Sequence, residues 1–178
     1  MIKVEADGFE FRFKDAIHAF VFDEKDKLKA TYHGAPMKGV DVVAEFADAY
    51  VYIELKNYDD STKYNVLLSG SEEERAARKA SLKWLKNYLK YKFRDSYLYR
   101  HAEQKVDKPI HYVCLMTFDN ALNSHLAKQL KQELPVGKVS RRWNQSLATS
   151  CQVVNLDKWN ANFPKWPAKR LPTSVTGA

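Results

Sequence analysis

Asp41, Glu54 and Lys56 are the residues of this chain whose types and spacing could act together. Asp41 stands near the start of one apolar segment, residues 40–46, and Glu54-Leu55-Lys56 closes another, residues 49–56. Both segments read as strands. With a tight turn centred on Ala47-Asp48, antiparallel pairing matches residues whose numbers add to 95, which sets Asp41 opposite Glu54. Side chains alternate along a strand, so one face of this hairpin shows Val42, Ala44, Phe46, Val51, Ile53 and Leu55, all apolar. The other shows Asp41, Val43, Glu45, Tyr50, Tyr52, Glu54 and Lys56. A slip of one residue would send the two acids to opposite faces, so the burial pattern fixes the register.

Two opposed carboxylates repel each other and call for a positive charge between them. Lys56 supplies part of it, and the pair also suits a hard divalent cation such as Mg²⁺, with Mn²⁺ as a substitute. The expected ligands are Asp41, Glu54 and the backbone carbonyl of Leu55, leaving positions for a phosphate oxygen and a water. Lys56 would orient that water, deprotonate it through a lowered lysine pKa, or stabilise developing negative charge. The same alternation also describes an ordinary hairpin whose polar face meets solvent.

These residues resemble the PD-(D/E)XK nuclease superfamily, the restriction-endonuclease-like fold. Its signature is an acid near the start of one strand and (D/E)-X-K at the end of the next. Here that is Val40-Asp41, then Glu54-Leu55-Lys56, with twelve residues between the acids and Val40 where relatives often have Pro. The resemblance implies an α/β fold whose central mixed β-sheet is flanked by helices, in the order helix, three strands, helix, strand. It implies an Mg²⁺-dependent endonuclease or exonuclease that hydrolyses phosphodiester bonds, most readily in DNA, with Asp41, Glu54 and Lys56 as the catalytic set. A further metal-binding acid often comes from the first helix, and Asp23 is chosen over Glu24. The helix after the motif often adds a basic residue, which points to the stripe Lys79, Lys83, Lys86 and Lys90, with Lys83 foremost. The alternative is a catalytically inactive nucleic-acid-binding or assembly subunit that keeps the fold.

The elements that must position these residues follow from local signals. Asp7-Gly8 between residues 2–6 and 9–13 predicts a hairpin. Asp15 is read as the cap of a helix over 15–27, followed by an extended segment at 28–33 and a loop at 57–70. Ser71 followed by Glu72-Glu73-Glu74 predicts a capped helix to about residue 101, with Leu82, Leu85, Leu89 and Phe93 on its buried face. Residues 110–118 read as a buried strand, a helix capped by Asp119 or Asn120 runs to about 134, and residues 150–156 form a last strand. Residues 1–178 are expected as one nuclease-like domain, with an irregular C-terminal arm from about 157.

The chain carries 29 Lys and Arg against 22 Asp and Glu, net +7. Residues 1–60 hold net −5 and residues 61–178 net +12, so an acidic front is followed by a basic remainder. That balance favours a polyanionic partner, because lysines and arginines that neutralise phosphates release condensed counterions, and the resemblance implies that this partner is nucleic acid, most readily DNA. Lys83, Lys86, Lys90, Arg141 and Arg142 are the foremost candidates for backbone contact, with Trp143, Lys165, Trp166, Lys169 and Arg170 behind them. Tight sequence specificity would need a homodimer or larger complex. The scattered histidines lack zinc spacing, Cys114 and Cys151 read as buried thiols, and no glycine-rich phosphate loop is present. The longest apolar runs are too short to cross a bilayer and the acidic start lacks a secretory stretch, so a cytoplasmic protein with no membrane partner is expected.

Overall fold

The computed structural model describes residues 1–172. Asp7 and Gly8 both take left-handed φ angles, 47° and 78°, the geometry a two-residue hairpin turn requires. They join β1 (Ile2–Ala6) to β2 (Phe9–Phe13), and β8 (Ala168–Arg170) adds to β2, making a three-stranded antiparallel sheet. A second, five-stranded mixed sheet runs in the order β3 (His18–Val21), β4 (Val42–Glu45), β5 (Tyr50–Lys56), β6 (Ile110–Met116), β7 (Ser150–Val154). The pairs β3–β4 and β4–β5 are antiparallel, whereas β5, β6 and β7 run parallel.

Parallel neighbours need crossovers, and helices supply them. The long helix α1 (Glu72–Ala102) links β5 to β6, and α2 (Asn120–Glu133) links β6 to β7. Ser71 and Glu74 form the expected capping box, and Asp119 caps α2 by accepting from the Leu122 amide at 2.8 Å. Both helices pack on one face of the sheet, where Leu82, Leu85, Leu89 and Phe93 meet Val43, Tyr52, Tyr112 and Cys114. The opposite face, with Val42, Ala44, Val51, Ile53 and Leu55, packs on Phe9, Phe11 and Phe13 of the small sheet. Cys114 and Cys151 are buried free thiols.

Three expectations fail. The helix over 15–27 does not form: Asp15 has φ 65°, which a helix cap does not use, and residues 18–21 pair with β4 as an edge strand. The Phe20-Val21-Phe22 run favours a strand, and a sheet edge beside β4 gives it a partner that local spacing does not reveal. Residues 28–33 are turns, with only an isolated bridge from Tyr32 to Glu24. The arm expected from about 157 is ordered: α3 (Leu156–Asn162) buries Trp159 against Phe11, with ring centroids 5.2 Å apart, and is followed by β8. Trp159, Phe163 and Trp166 recur at spacings of four and three, which closes this segment onto the small sheet. Residues 173–178 of the expected arm lie outside the described residues. Among those described, no helix is long and apolar enough to cross a membrane.

Candidate functional site

The β4–β5 register is the one the burial pattern demands: Val42 pairs with Ile53, Val43 with Tyr52 and Glu45 with Tyr50. Asp41 sits at the bend that opens β4 and ties both neighbouring strands together. Its backbone carbonyl accepts from the Phe22 amide at 2.8 Å, and its carboxylate Oδ2 accepts from the Leu55 amide at 2.6 Å. Glu54 and Lys56 point to the same side, with Lys56 Nζ 2.8 Å from Glu54 Oε1.

This polar face does not meet solvent. Helix α1 covers it, so the Glu54 side chain is fully buried, while Asp41 and Lys56 keep 14% and 18% exposure and mark the open side. Both Glu54 oxygens lack a well-directed hydrogen bond, with Lys56 Nζ 2.8 Å from Oε1 and Lys92 Nζ 3.4 Å from Oε2.

Lys92 of α1 is the residue that sequence reasoning missed. Its Nζ lies 3.5 Å from Asp23, 3.6 Å from Asp41 and 3.4 Å from Glu54, and it donates to the Gly39 carbonyl at 2.5 Å. The three acids therefore converge on one ammonium that is only 5% exposed. A signal was available: Lys92 continues the seam Leu82, Leu85, Leu89, with Ser96 and Arg100 beyond it, and a lysine at a buried position requires acidic partners. Ser96 fixes the geometry by accepting from the Val40 amide at 2.8 Å while donating to the Lys92 carbonyl at 2.7 Å. Replacing Ser96 with Ala strands the buried Val40 amide and should cost about 1–3 kcal/mol, read as a lower denaturant midpoint with unchanged slope.

Asp23, Asp41 and Glu54 gather around Lys92, with Lys25 also on Asp23 and Lys56 on Glu54. Burial, then the neighbouring Asp41 charge, pushes the Glu54 carboxyl up to about 8 against the pull of Lys92 and Lys56. Burial also raises Asp41, with Lys92 opposing it. For Lys56, burial works downward but the Glu54 and Asp41 charges outweigh it and hold the ammonium above its ordinary range. This direction is the reverse of the expected lowered lysine pKa. A carboxyl raised on folding holds its proton in the native state after the unfolded chain has lost it. Its contribution to stability is therefore complete below about pH 4.5 and is lost as pH rises through about 8. Unfolding free energy followed across that window should fall less steeply in Glu54→Gln than in the native chain; equal slopes would remove Glu54 as the cause.

The other candidates are dispersed. Asp23 joins Lys92 but lies just past β3 rather than on a helix, and it also pairs with Lys25 at 2.5 Å. Among the described residues no group of three His, Cys, Asp or Glu side chains is disposed to hold a metal ion, so Asp23 does not complete a three-acid cluster. The donors present still fit a hard cation. Asp41 and Glu54 are oxygen ligands, and the Glu54 oxygens have no directed partner. Leu55 spends its amide on Asp41 and its side chain on the opposite core.

Lys83 is exposed on α1, while Lys86 and Lys90 both bind Glu133 of α2, at 3.1 and 2.9 Å. Arg141 and Arg142 are exposed on the segment that returns to the amino end of β7, whereas Glu54 and Lys56 lie at the carboxyl end of β5. Trp143 lines a cavity of about 670 Å³ with Phe93, Leu98 and Val139, and this cavity includes neither Asp41 nor Glu54. Lys165 is exposed, Trp166 stacks on Phe46, Lys169 pairs with Glu10, and Arg170 hydrogen-bonds Asn57. Comparison of the chain with protein-family models, curated proteins and solved structures gives no match.

Proposed function

We propose that this chain is a divalent-metal-dependent nuclease of the PD-(D/E)XK type that hydrolyses phosphodiester bonds in DNA. One observation carries the reading: Asp41 and Glu54, distant in sequence, converge at the carboxyl end of a central strand with Lys56 on Glu54. From β3 onward, the succession of three antiparallel strands, a crossover helix and a parallel strand agrees with a restriction-endonuclease-like core, although the leading helix is replaced by the small hairpin sheet.

Asp41 and Glu54 would hold the metal, Mg²⁺ or Mn²⁺, with the Leu55 carbonyl as a further ligand. Bound there, it supplies Lewis acidity to a phosphate oxygen and to the attacking water. The chain does the rest. The Leu55 amide fixes one Asp41 oxygen, leaving the other directed toward the shared site. Lys56, a cation at the open edge, faces the negative charge that grows on the phosphoryl oxygens as the new P–O bond forms and the ester bond breaks. The products are a phosphate monoester and a free hydroxyl. Lys92 keeps the acids together and adds a second fixed positive charge.

A specific observation favours a second reading: the Lys92 ammonium already touches all three acids, as it would in a binding or assembly subunit without catalysis. Plasmid and single-stranded DNA incubated with the protein in Mg²⁺ or Mn²⁺, beside Asp41→Ala and Lys56→Ala, separate the two. Metal-dependent cutting lost in both variants is the expected result. Binding unchanged by either substitution, with no cutting, identifies the subunit, and no affinity for nucleic acid even at low salt excludes both.

A further inference from the structure

Trp84, Tyr88 and Tyr91 recur on α1 at spacings of four and three, a stripe beside the buried leucine seam. Trp84 is 58% exposed, and its ring lies 5.4 Å from Tyr88 at an interplanar angle of 19°. Tyr88 leads directly to the acid site: its ring centroid is 4.9 Å from Lys56 Nζ and 5.5 Å from Lys92 Nζ. Lys38 Nζ sits 5.4 Å from Tyr88 and 5.9 Å from Tyr91, which is itself 48% exposed. Among the described residues the ammonium groups of Lys38 and the exposed Lys83 form no ion pair, while the Lys38 backbone amide donates to Asp95 Oδ2 at 2.9 Å.

Core packing does not account for an indole standing in solvent on a half-buried tyrosine that also has three ammonium groups within 5.5 Å of its ring centroid. We propose that exposed Trp84, backed by Tyr88, forms with Tyr91 a stacking platform for the bases of single-stranded DNA, and that Lys38 and Lys56 guide its backbone to the acid pair. In a duplex each base face is covered by its neighbours, so an exposed ring has nothing to stack on; an unpaired base offers a free face. A polyanion also answers the charge of the rim, whereas an apolar protein surface laid on Trp84 and Tyr91 would bury Lys38 and Lys83 without partners. The inference rests on the nuclease reading only for where the strand leads.

Fluorescence anisotropy in EDTA tests it, using a labelled oligothymidylate, the duplex it forms with oligoadenylate, and oligouridylate. The native chain binds the single DNA strand more tightly than the other two. Trp84→Ala weakens that binding roughly 10- to 100-fold while duplex binding barely changes, and Trp84→Phe keeps most of the affinity. Duplex or RNA bound as tightly as single-stranded DNA, no binding to any probe, or equal affinity of Trp84→Ala and the native chain overturns the platform. Without divalent metal the assay reads binding alone. Cleavage can therefore be absent while the single-strand preference stands, and duplex plasmid can be cut while the preference fails.

Discussion

Replacing Lys92 with Met should destabilise the protein by about 3–5 kcal/mol, lowering the melting temperature by roughly 6–20 °C. Methionine keeps most of the volume of the side chain but removes the charge on which Asp23, Asp41 and Glu54 converge. The loss is large because the remaining acids are buried or nearly so, and a buried charge left without its partner retains the full cost of leaving water. Above about pH 8, where Glu54 ionises, Glu54→Gln in the same background should return a substantial part of the lost stability, since it removes the most buried charge. Unfolding of the two single variants and the double variant gives the coupling. Additive effects, or a Lys92→Met protein as stable as the native chain, would mean that the ammonium does not hold these acids together.

The second large effect is on chemistry. On the proposed nuclease reading, Lys56→Met should lower the rate of DNA cleavage roughly 10²- to 10⁴-fold, while the dissociation constant for DNA changes little. Lys56 is one cation among many for binding, but it is the one at the open edge of the acid pair, 2.8 Å from Glu54. Its raised pKa sharpens the expectation: Lys56→Arg preserves the charge and should recover part of the rate, which a base could not do. Single-turnover cleavage by the three proteins measures this directly. An arginine variant as inactive as the methionine variant, in a folded protein, would require another role for the amine.

The arrangement of the candidate site was legible in the sequence where two independent constraints agreed. Period-two alternation over residues 40–56 and a turn of fixed length leave one register, and that register puts Asp41 beside Glu54 and Lys56. The helices of the crossovers were legible because Ser71 and Asp119 cap them by side-chain bonds that local sequence specifies. The hairpin of β1 and β2 was fixed by Asp7-Gly8. What stayed hidden depends on contacts between distant segments. Residues 18–21 become a strand because β4 offers an edge, and Lys92 matters because α1 lies across the polar face of the hairpin. Lys86 and Lys90, read as a basic stripe for nucleic acid, are held by Glu133, which no local pattern in α1 announces. Trp159 gave the weakest local signal, since a helix of seven residues depends on the small sheet beneath it.

The central claim is that Asp41 and Glu54 hold a divalent cation, and calorimetric titration of Mg²⁺ and Mn²⁺ into the native protein and into Glu54→Gln tests it most directly. The account predicts saturable binding in the native chain, stronger above about pH 8 where Glu54 has lost its proton, and loss of that binding in the variant. Identical titration curves for the two proteins, or none above dilution in the native one at either side of that pH, would contradict it.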